Sequence, residues 1–444
     1  MRPGSLLEGR NREILGIAGP MVLANLSAPL IGLVDTTVVG HLGDARYIGG
    51  VAVGAVILSF AFTVFNFLRM TTTGLAAQAA GAGDATRLRT VLAQGCGTAL
   101  GLGALLLASQ LPLGAFALRL IGPSAAVAGE AWAYYAVRIW SAPAVLVDFA
   151  LIGWFVGLGN ARAPLAMVLT ANLVNIALDL ILVPGLGFGV TGVAWASVVA
   201  EYVAVAVGAR LVVRELARRA GHWRRADMFA MRGLRALFAA NSALFLRTLL
   251  LMFAFAFLTT MGARQTDAIL AANAILVNLQ YLMAYVLDGF ANAAESLSGR
   301  AIGARDRGAL AAIVRSCLRW SLALALMIAA GLAVGGPLAI RVVTSVPNVI
   351  AAAHTYLPWM ILSPLVCVWA FLYDGFFIGA QRPGAMLRVM IVAVAVYLPA
   401  WWLTREHGNH GLWLAFTLFN AARGLQQHLL FRRWLRSGAL LEAG

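Results

Sequence analysis

The 444-residue chain contains no lysine: its 33 basic side chains are all arginine, set against 18 acids for a net charge of +15. Charge of either sign is scarce, at 11% of residues, where soluble domains carry about 25%. Hydrophobic residues make up 61%. A water-soluble core cannot absorb that much apolar side chain without large exposed patches, so the composition belongs to a membrane protein. Only three cysteines occur, Cys96, Cys317 and Cys367. Each stands alone in an apolar stretch, which excludes a disulfide framework or a CxxC metal site and leaves small apolar side chains. The six histidines show no metal-ligand spacing. No GxxxxGK[ST] loop is present, so ATP is not the energy source. No metal or other cofactor is expected. The start, MRPGSLLEGRNREILG, is polar and basic and does not read as a cleavable leader. A pI near 11.0 in a soluble protein points to nucleic acid. Here the arginines sit in short loops between apolar runs, where they set topology, and no nucleic-acid partner is expected.

What the chain does have is long apolar runs. They fall at 14–38, 47–72, 91–111, 131–158, 165–185 and 190–212, and resume at 238–262, 268–300, 313–333, 354–380, 387–403 and 411–433. A transmembrane helix needs about 20 such residues. The expected fold is therefore an all-α polytopic protein of twelve transmembrane helices: a six-helix lobe over 14–212, a basic linker over 213–237, and a second six-helix lobe over 238–433. With both termini in the cytoplasm, 25 of the 33 arginines fall inside and five outside (Arg46, Arg119, Arg264, Arg341 and Arg405). The positive-inside rule asks for this asymmetry. Arg69, Arg138 and Arg247 fall within helices. The linker alone holds Arg214, Arg218, Arg219, Arg224, Arg225, Arg232 and Arg235, a solvated anchor compatible with anionic lipid.

The halves repeat. GLAAQAAGAGD at 74–84 matches SLSGRAIGARD at 296–306. GLGNARAP at 157–164 matches FIGAQRP at 377–383, and GFGVTGVAWA at 187–196 matches EHGNHGLWLA at 406–415. Six helices per half bring both halves in from the same side, which is a parallel repeat. Such a pair suits a cleft that opens alternately to either side.

Seven carboxylates lie in apolar stretches: Asp35, Asp148, Asp179, Glu201, Asp288, Glu295 and Asp374. Each costs at least about 2.5–3.5 kcal/mol at mid-membrane unless it faces a cavity, is paired or takes up a proton. Against three helical arginines this predicts a net acidic interior, suited to proton or sodium relays and cationic substrates. Asp35 on helix 1 and Asp179 on helix 5 lie at similar depth. Asn175 is one turn before Asp179 on the same face, and Ser197 on helix 6 comes near in a compact lobe. Two carboxylates held together in apolar walls cannot easily both ionise, which makes a proton-exchanging pair; two separately bonded structural aspartates are the other reading. Asp148 and Glu201 are possible accessory acids of the same network, or pair structurally with Arg138. Asp288 and Asp374 lie lower in the second half, with Asp374 either lining a vestibule or pairing with Arg388. Glu295 is expected to form a helix-end ion pair with Arg300. Pro20 and Pro29 punctuate helix 1; a mid-helix proline frees a carbonyl four residues back, that of Asn25 for Pro29. Helix 1 can therefore bend, either in step with Asp35 protonation or as a static kink. Tyr281, Met283, Tyr285, Phe290, Met252, Phe253, Phe255 and Phe257 are candidates for a hydrophobic cavity wall, facing lipid or neighbouring helices being the other reading.

The runs PLIGLVDTTVVGHLGDARYIGGVAVG and FLRMTTTGLAAQAAGAGD resemble the start of the multidrug and toxic compound extrusion (MATE) family, in its DinF-like branch. LDGFANAAESLSGRAIGARDR, DGFFIGAQRP and GNHGLWLAFTLFNAARG extend the resemblance over essentially the whole chain. It implies a two-lobe exporter exchanging protons or sodium for amphipathic, often cationic drugs. It also implies a cation site made by the helix-1 aspartate and the helix-5 Asn-x-x-x-Asp, here Asp35, Asn175 and Asp179. Ser197 stands where relatives can carry a helix-6 hydroxyl, and Pro20 stands at the bending proline. Ile31 departs from the pattern, since some relatives place a tyrosine there.

The reading is a proton-coupled antiporter of amphipathic or cationic compounds, in the bacterial inner membrane and sufficient as a monomer among membrane lipids. The alternatives are a sodium-coupled exporter of the same family, or a lipid-linked precursor flippase, which would need a basic cavity. An intramembrane enzyme would need a DDxxD-type metal cluster, and none occurs.

Overall fold

The computed structural model describes residues 3–224 and 231–440. Among the described residues the regular structure is helical. The helices are α1 (Pro3–Gly40), α2 (Ala45–Val64), α3 (Phe67–Gly81), α4 (Ala85–Ala108), α5 (Gln110–Ile121), α6 (Ala125–Arg138), α7 (Ala142–Gly157), α8 (Arg162–Leu180), α9 (Gly189–Ala217), α10 (Met231–Ala263), α11 (Asp267–Gly303), α12 (Arg307–Val343), α13 (Pro347–Gly379), α14 (Pro383–Thr404) and α15 (Gly408–Ser437). In lipid every backbone polar group must be satisfied internally, and helices do this within one segment. Ten stretches among the described residues are long and apolar enough to cross a membrane. The last, Pro383–Ser437, holds two helices, α14 and α15, and α1 adds 38 residues, so the twelve expected crossings are accounted for. Two expected crossings are jointed: α2 and α3 meet at Phe65–Asn66, and a single 3₁₀ turn, Ile139–Ser141, joins α6 to α7. Large apolar side chains stand outward, as Val334 at 86% and Val342 at 79% exposed do, which lipid tolerates and water does not.

The chain forms two compact units, Leu23–Leu237 and Met1–Val22 with Phe238–Gly444. The lobe boundary expected at residue 14 thus differs from the observed division, which falls inside α1. The reason is packing. Gly289 of α11 lacks a Cβ where one would stand 2.3 Å from Val22 Cγ2. Glu13 pairs with Arg300 at 2.7 Å, and Trp320 Nε1 donates to Asn11 Oδ1 at 3.2 Å. The backbone of α1 is helical through both Pro20 and Pro29. Of the 213–237 linker, α9 extends to Ala217 and α10 begins at Met231; residues 225–230, with Arg225, lie outside the described residues.

The repeat is written in backbone geometry. Gly83 and Arg305, at matching places in the two halves, both take positive φ, +70° and +56°. The aspartate after each, Asp84 or Asp306, caps the next helix by accepting from Arg87 N or Ala309 N at 2.8 Å. Close contacts repeat too. A Cβ at Gly153 or Gly157 of α7 would lie 2.4 or 2.6 Å from the carbonyl oxygens of Arg69 and Thr73 on α3. Gly375 and Gly379 of α13 press in the same way on Ala291 and Glu295 of α11, at 2.2 and 2.3 Å. Each residue of the first set is separated from its counterpart by the same length of chain as Gly83 is from Arg305. These are glycines at i and i+4 that let two membrane helices approach backbone to backbone. The arginine of each half that clamps its last helix also repeats in role. Arg89 donates to the Leu216 carbonyl at 3.1 Å and to that of Arg219 at 3.0 Å, and Arg307 donates to the carbonyls of Leu435 and Arg436.

Candidate ion-coupling site

The site lies within the Leu23–Leu237 unit. Asn172, Asn175 and Asp179 occupy positions i, i+3 and i+7 of α8 and so share a face. All three are buried, Asn175 and Asp179 completely. Asn172 Nδ2 donates to the Ser27 carbonyl of α1 at 3.0 Å, and Asn175 Nδ2 to Ser197 Oγ of α9 at 3.2 Å. These two amides tie α8 to the helices on either side. Asp35 of α1, 6% exposed, thereby faces Asp179 within hydrogen-bonding reach. Among the described residues no donor reaches either oxygen of Asp179 or Oδ1 of Asp35. A carboxylate only accepts, so the contact is a hydrogen bond when one of the two carries a proton. Immediately after Asp179 the helix widens into one π turn, Ile181–Gly185, containing Pro184. Such turns recur at functional sites.

The four principal residues of the sequence reading, Asp35, Asp179, Asn175 and Ser197, therefore meet in one place. The amide of Asn175 is engaged by Ser197 rather than by a carboxylate. Asn172 is an addition that the shared helix face of the Asn-x-x-Asn-x-x-x-Asp run in 172–179 signals. Tyr134 is a second addition; it lies within electrostatic reach of Asp35, Asp179 and Arg138, and nothing in its local sequence marks it.

Of the accessory acids, Glu201 takes Arg138, at 3.2 Å. Asp148 does not pair with Arg138: among the described residues its Oδ1 is buried without a partner, with Glu201 in electrostatic reach. Asp288 and Asp374 belong to the other unit. Asp288 is half-buried, and Asn292 Nδ2 donates to its backbone carbonyl at 2.8 Å.

Three expectations are corrected. Asp374 pairs with Arg247 and Arg423, not Arg388: Arg247 and Arg423 both donate to Oδ2, the latter at 2.7 Å, and Gln427 Nε2 donates to Oδ1 at 2.6 Å. Arginine counting puts Arg423 among the cytoplasmic arginines, yet it is 3% exposed in α15. The interior is thus less uniformly acidic than the tally of helical arginines predicts, because a position near a helix end reads as solvated. Arg300 pairs with Glu13 of α1, leaving Glu295 buried at 1% exposure; a residue five positions on lies off its helix face, whereas α1 lies alongside.

The second unit has no copy of the carboxylate site. At the spacing that carries Gly153 to Gly375, Phe257 matches Asp35, Tyr397 matches Asn175 and Trp401 matches Asp179. Phe416 matches Ser197 at a slightly shorter spacing, and the difference arises in the stretch holding the π turn. The touching pairs are reproduced: Phe257 meets Trp401 with centroids 5.1 Å apart, and Tyr397 meets Phe416 at 6.2 Å. Aromatic packing fills the place where the first unit sets polar groups. Met283 and Phe290, candidates for a cavity wall, are likewise buried in packing.

A family model, MatE, matches residues 20–181 and 243–403, one stretch in each half. The chain belongs to the MatE family. It is 41% identical to DNA damage-inducible protein F of Escherichia coli (strain K12), over 99% of this chain and 96% of that protein. It is 30% identical to "Probable multidrug resistance protein NorM" of Caulobacter vibrioides, over 66% of this chain and 63% of the relative. Among solved structures, a MATE protein in complex with MaD5 superposes with a TM-score of 0.88 over 100% of both chains at 19% identity. That likeness shows the fold: two six-helix halves of the MATE type. The MatE chain is a membrane transporter and not an enzyme, and its matched stretches include Asp35, Asn175 and Asp179.

Proposed function

We propose that this chain is a proton-coupled antiporter that exports amphipathic, mainly cationic compounds from the bacterial cytoplasm across the inner membrane, with both termini cytoplasmic. The observation that carries the reading is the buried Asp35–Asp179 pair: among the described residues no donor reaches either oxygen of Asp179 or Oδ1 of Asp35. Two facing carboxylates in an apolar wall share a proton or a cation more readily than they bear two charges. The names of relatives in multidrug resistance support the substrate class. Asn172 and Asn175 hold α8 so that the pair stays in register. Substrate and proton favour opposite states of the carrier, and exchange follows from that differential affinity.

The test is export of a fluorescent organic cation from proteoliposomes under a pH gradient or a sodium gradient. Export driven by the pH gradient alone, and lost in Asp35→Asn and Asp179→Asn, is the expected result. Export driven only by sodium would replace the coupling ion and keep the site. Movement of no cation under either gradient would make lipid substrates the next to assay.

A further inference from the structure

α15 carries a feature that ion exchange does not use. Leu418, Leu425 and Leu429 are 39%, 60% and 55% exposed. Arg432 and Arg436 continue the same row by steps of i+3 and then i+4, with Arg433 beside them, and all three arginines are exposed. Positions so spaced share one helix face. The face is therefore apolar over three turns and cationic over the last two.

Depth fits that change of character. The helix from Gly408 to Arg432 rises about 36 Å at about 1.5 Å per residue, just beyond a hydrocarbon core of about 30 Å. A groove of about 510 Å³ opens there, lined by Leu429, Arg432, Arg433, Arg436 and Ser437. Among the described residues, no carboxylate pairs with any of the three arginines. The helix-terminal carbonyls of Leu435 and Arg436 are already taken by Arg307, and Ala439 O by Arg382 at 2.8 Å. Arg382 also stacks on Trp434, 5.7 Å from the ring centroid, and tryptophan at such a level marks the membrane–water interface. Among the described residues the three guanidiniums are thus not used for capping or pairing.

We propose that this end of α15 binds the phosphate headgroup of an anionic phospholipid, with an acyl chain laid along Leu429, Leu425 and Leu418. Guanidinium forks match phosphate oxygens in pairs, and the cytoplasmic leaflet, where the arginine asymmetry puts this end, is the anionic one. A free phosphate ion would satisfy the arginines but not the leucine row above them. At the matching places of α9, Val213 and Ala217 stand where α15 has Arg432 and Arg436, while Arg214 matches Arg433.

Native mass spectrometry of the full-length protein in detergent, titrated with cardiolipin, phosphatidylglycerol or phosphatidylcholine, tests this. Wild type should retain the anionic lipids about tenfold or more better than phosphatidylcholine, since arginines at the membrane surface attract anionic headgroups. Arg432→Gln with Arg436→Gln should erase that preference, while Arg432→Lys with Arg436→Lys should keep most of it. The thermal midpoint in lipid-free detergent checks that the variants fold, and Arg436→Gln alone replaces a double variant that does not. Unchanged lipid preference in the glutamine variants would overturn the proposal, as would displacement of the lipid by millimolar inorganic phosphate.

Discussion

Asp35 and Asp374 are both acids inside helices of the same membrane protein, yet their surroundings are opposite. Asp374 accepts from two guanidiniums and an amide. Taking away one member of such a buried set leaves the others uncompensated, at about 3–5 kcal/mol. Asp374→Asn is therefore expected to lower the thermal midpoint of the purified protein sharply. Among the described residues no donor reaches either oxygen of Asp179 or Oδ1 of Asp35, so Asp35→Asn removes a charge that faces another acid. Its midpoint should stay level or rise while gradient-driven export is lost. A fluorescence-monitored melt of the two variants side by side checks the contrast, and equal destabilisation would count against it. Asn172→Ala belongs to the same scale. It cuts the α8–α1 tie at the Ser27 carbonyl, at about 0.5–1.5 kcal/mol for one hydrogen bond, and should weaken coupling more than stability; comparing its transport rate with its midpoint decides.

At the scale of elements, the helices are held by close approach as much as by side-chain packing. Gly375 and Gly379 lie against carbonyl oxygens of α11. A methyl group at Gly375 would sit 2.2 Å from Ala291 O, and backbone cannot turn aside as a side chain can. Gly375→Ala should force α13 off α11 at about 1–3 kcal/mol, the usual cost of overpacking. Gly101→Ala on α4, where nothing lies within 4 Å, should be neutral or slightly stabilising, because alanine is the better helix former. Thermal midpoints of the pair provide the measurement. The same geometry explains why Gly153 and Gly157 recur as Gly375 and Gly379 in the second half. In a bilayer, helix pairing has no hydrophobic drive of its own and rests on small residues that let backbones meet.

For the whole molecule, two repeated halves share one backbone plan and differ in what fills it. The place that Asn175 holds in the first half is held by Tyr397 in the second, fully buried among Phe257, Phe416 and Phe419. Tyr397→Ala should open a cavity at about 3–5 kcal/mol without changing which gradient drives the remaining export. Asn175→Ala, at the matched position, should alter coupling with a smaller loss of stability. Swapped outcomes in paired transport and melting assays would contradict the division of labour between halves.

The sequence by itself determined the membrane class, the helix count, the repeat and the principal acids, because lipid imposes a one-dimensional rule: a run of about 20 apolar residues must become a helix, and a carboxylate within it stands out. It also placed Asn175 and Asp179 on one face, since helix periodicity is local. Partners across helices were decided only in three dimensions. That Asp374 takes Arg423 from 49 positions on rather than Arg388, that Arg300 reaches Glu13 across 287 positions, and that Tyr134 comes within electrostatic reach of the carboxylate pair all depend on which helix faces meet. Those faces are selected by glycine contacts and aromatic packing between segments distant in the chain, and no local pattern encodes them.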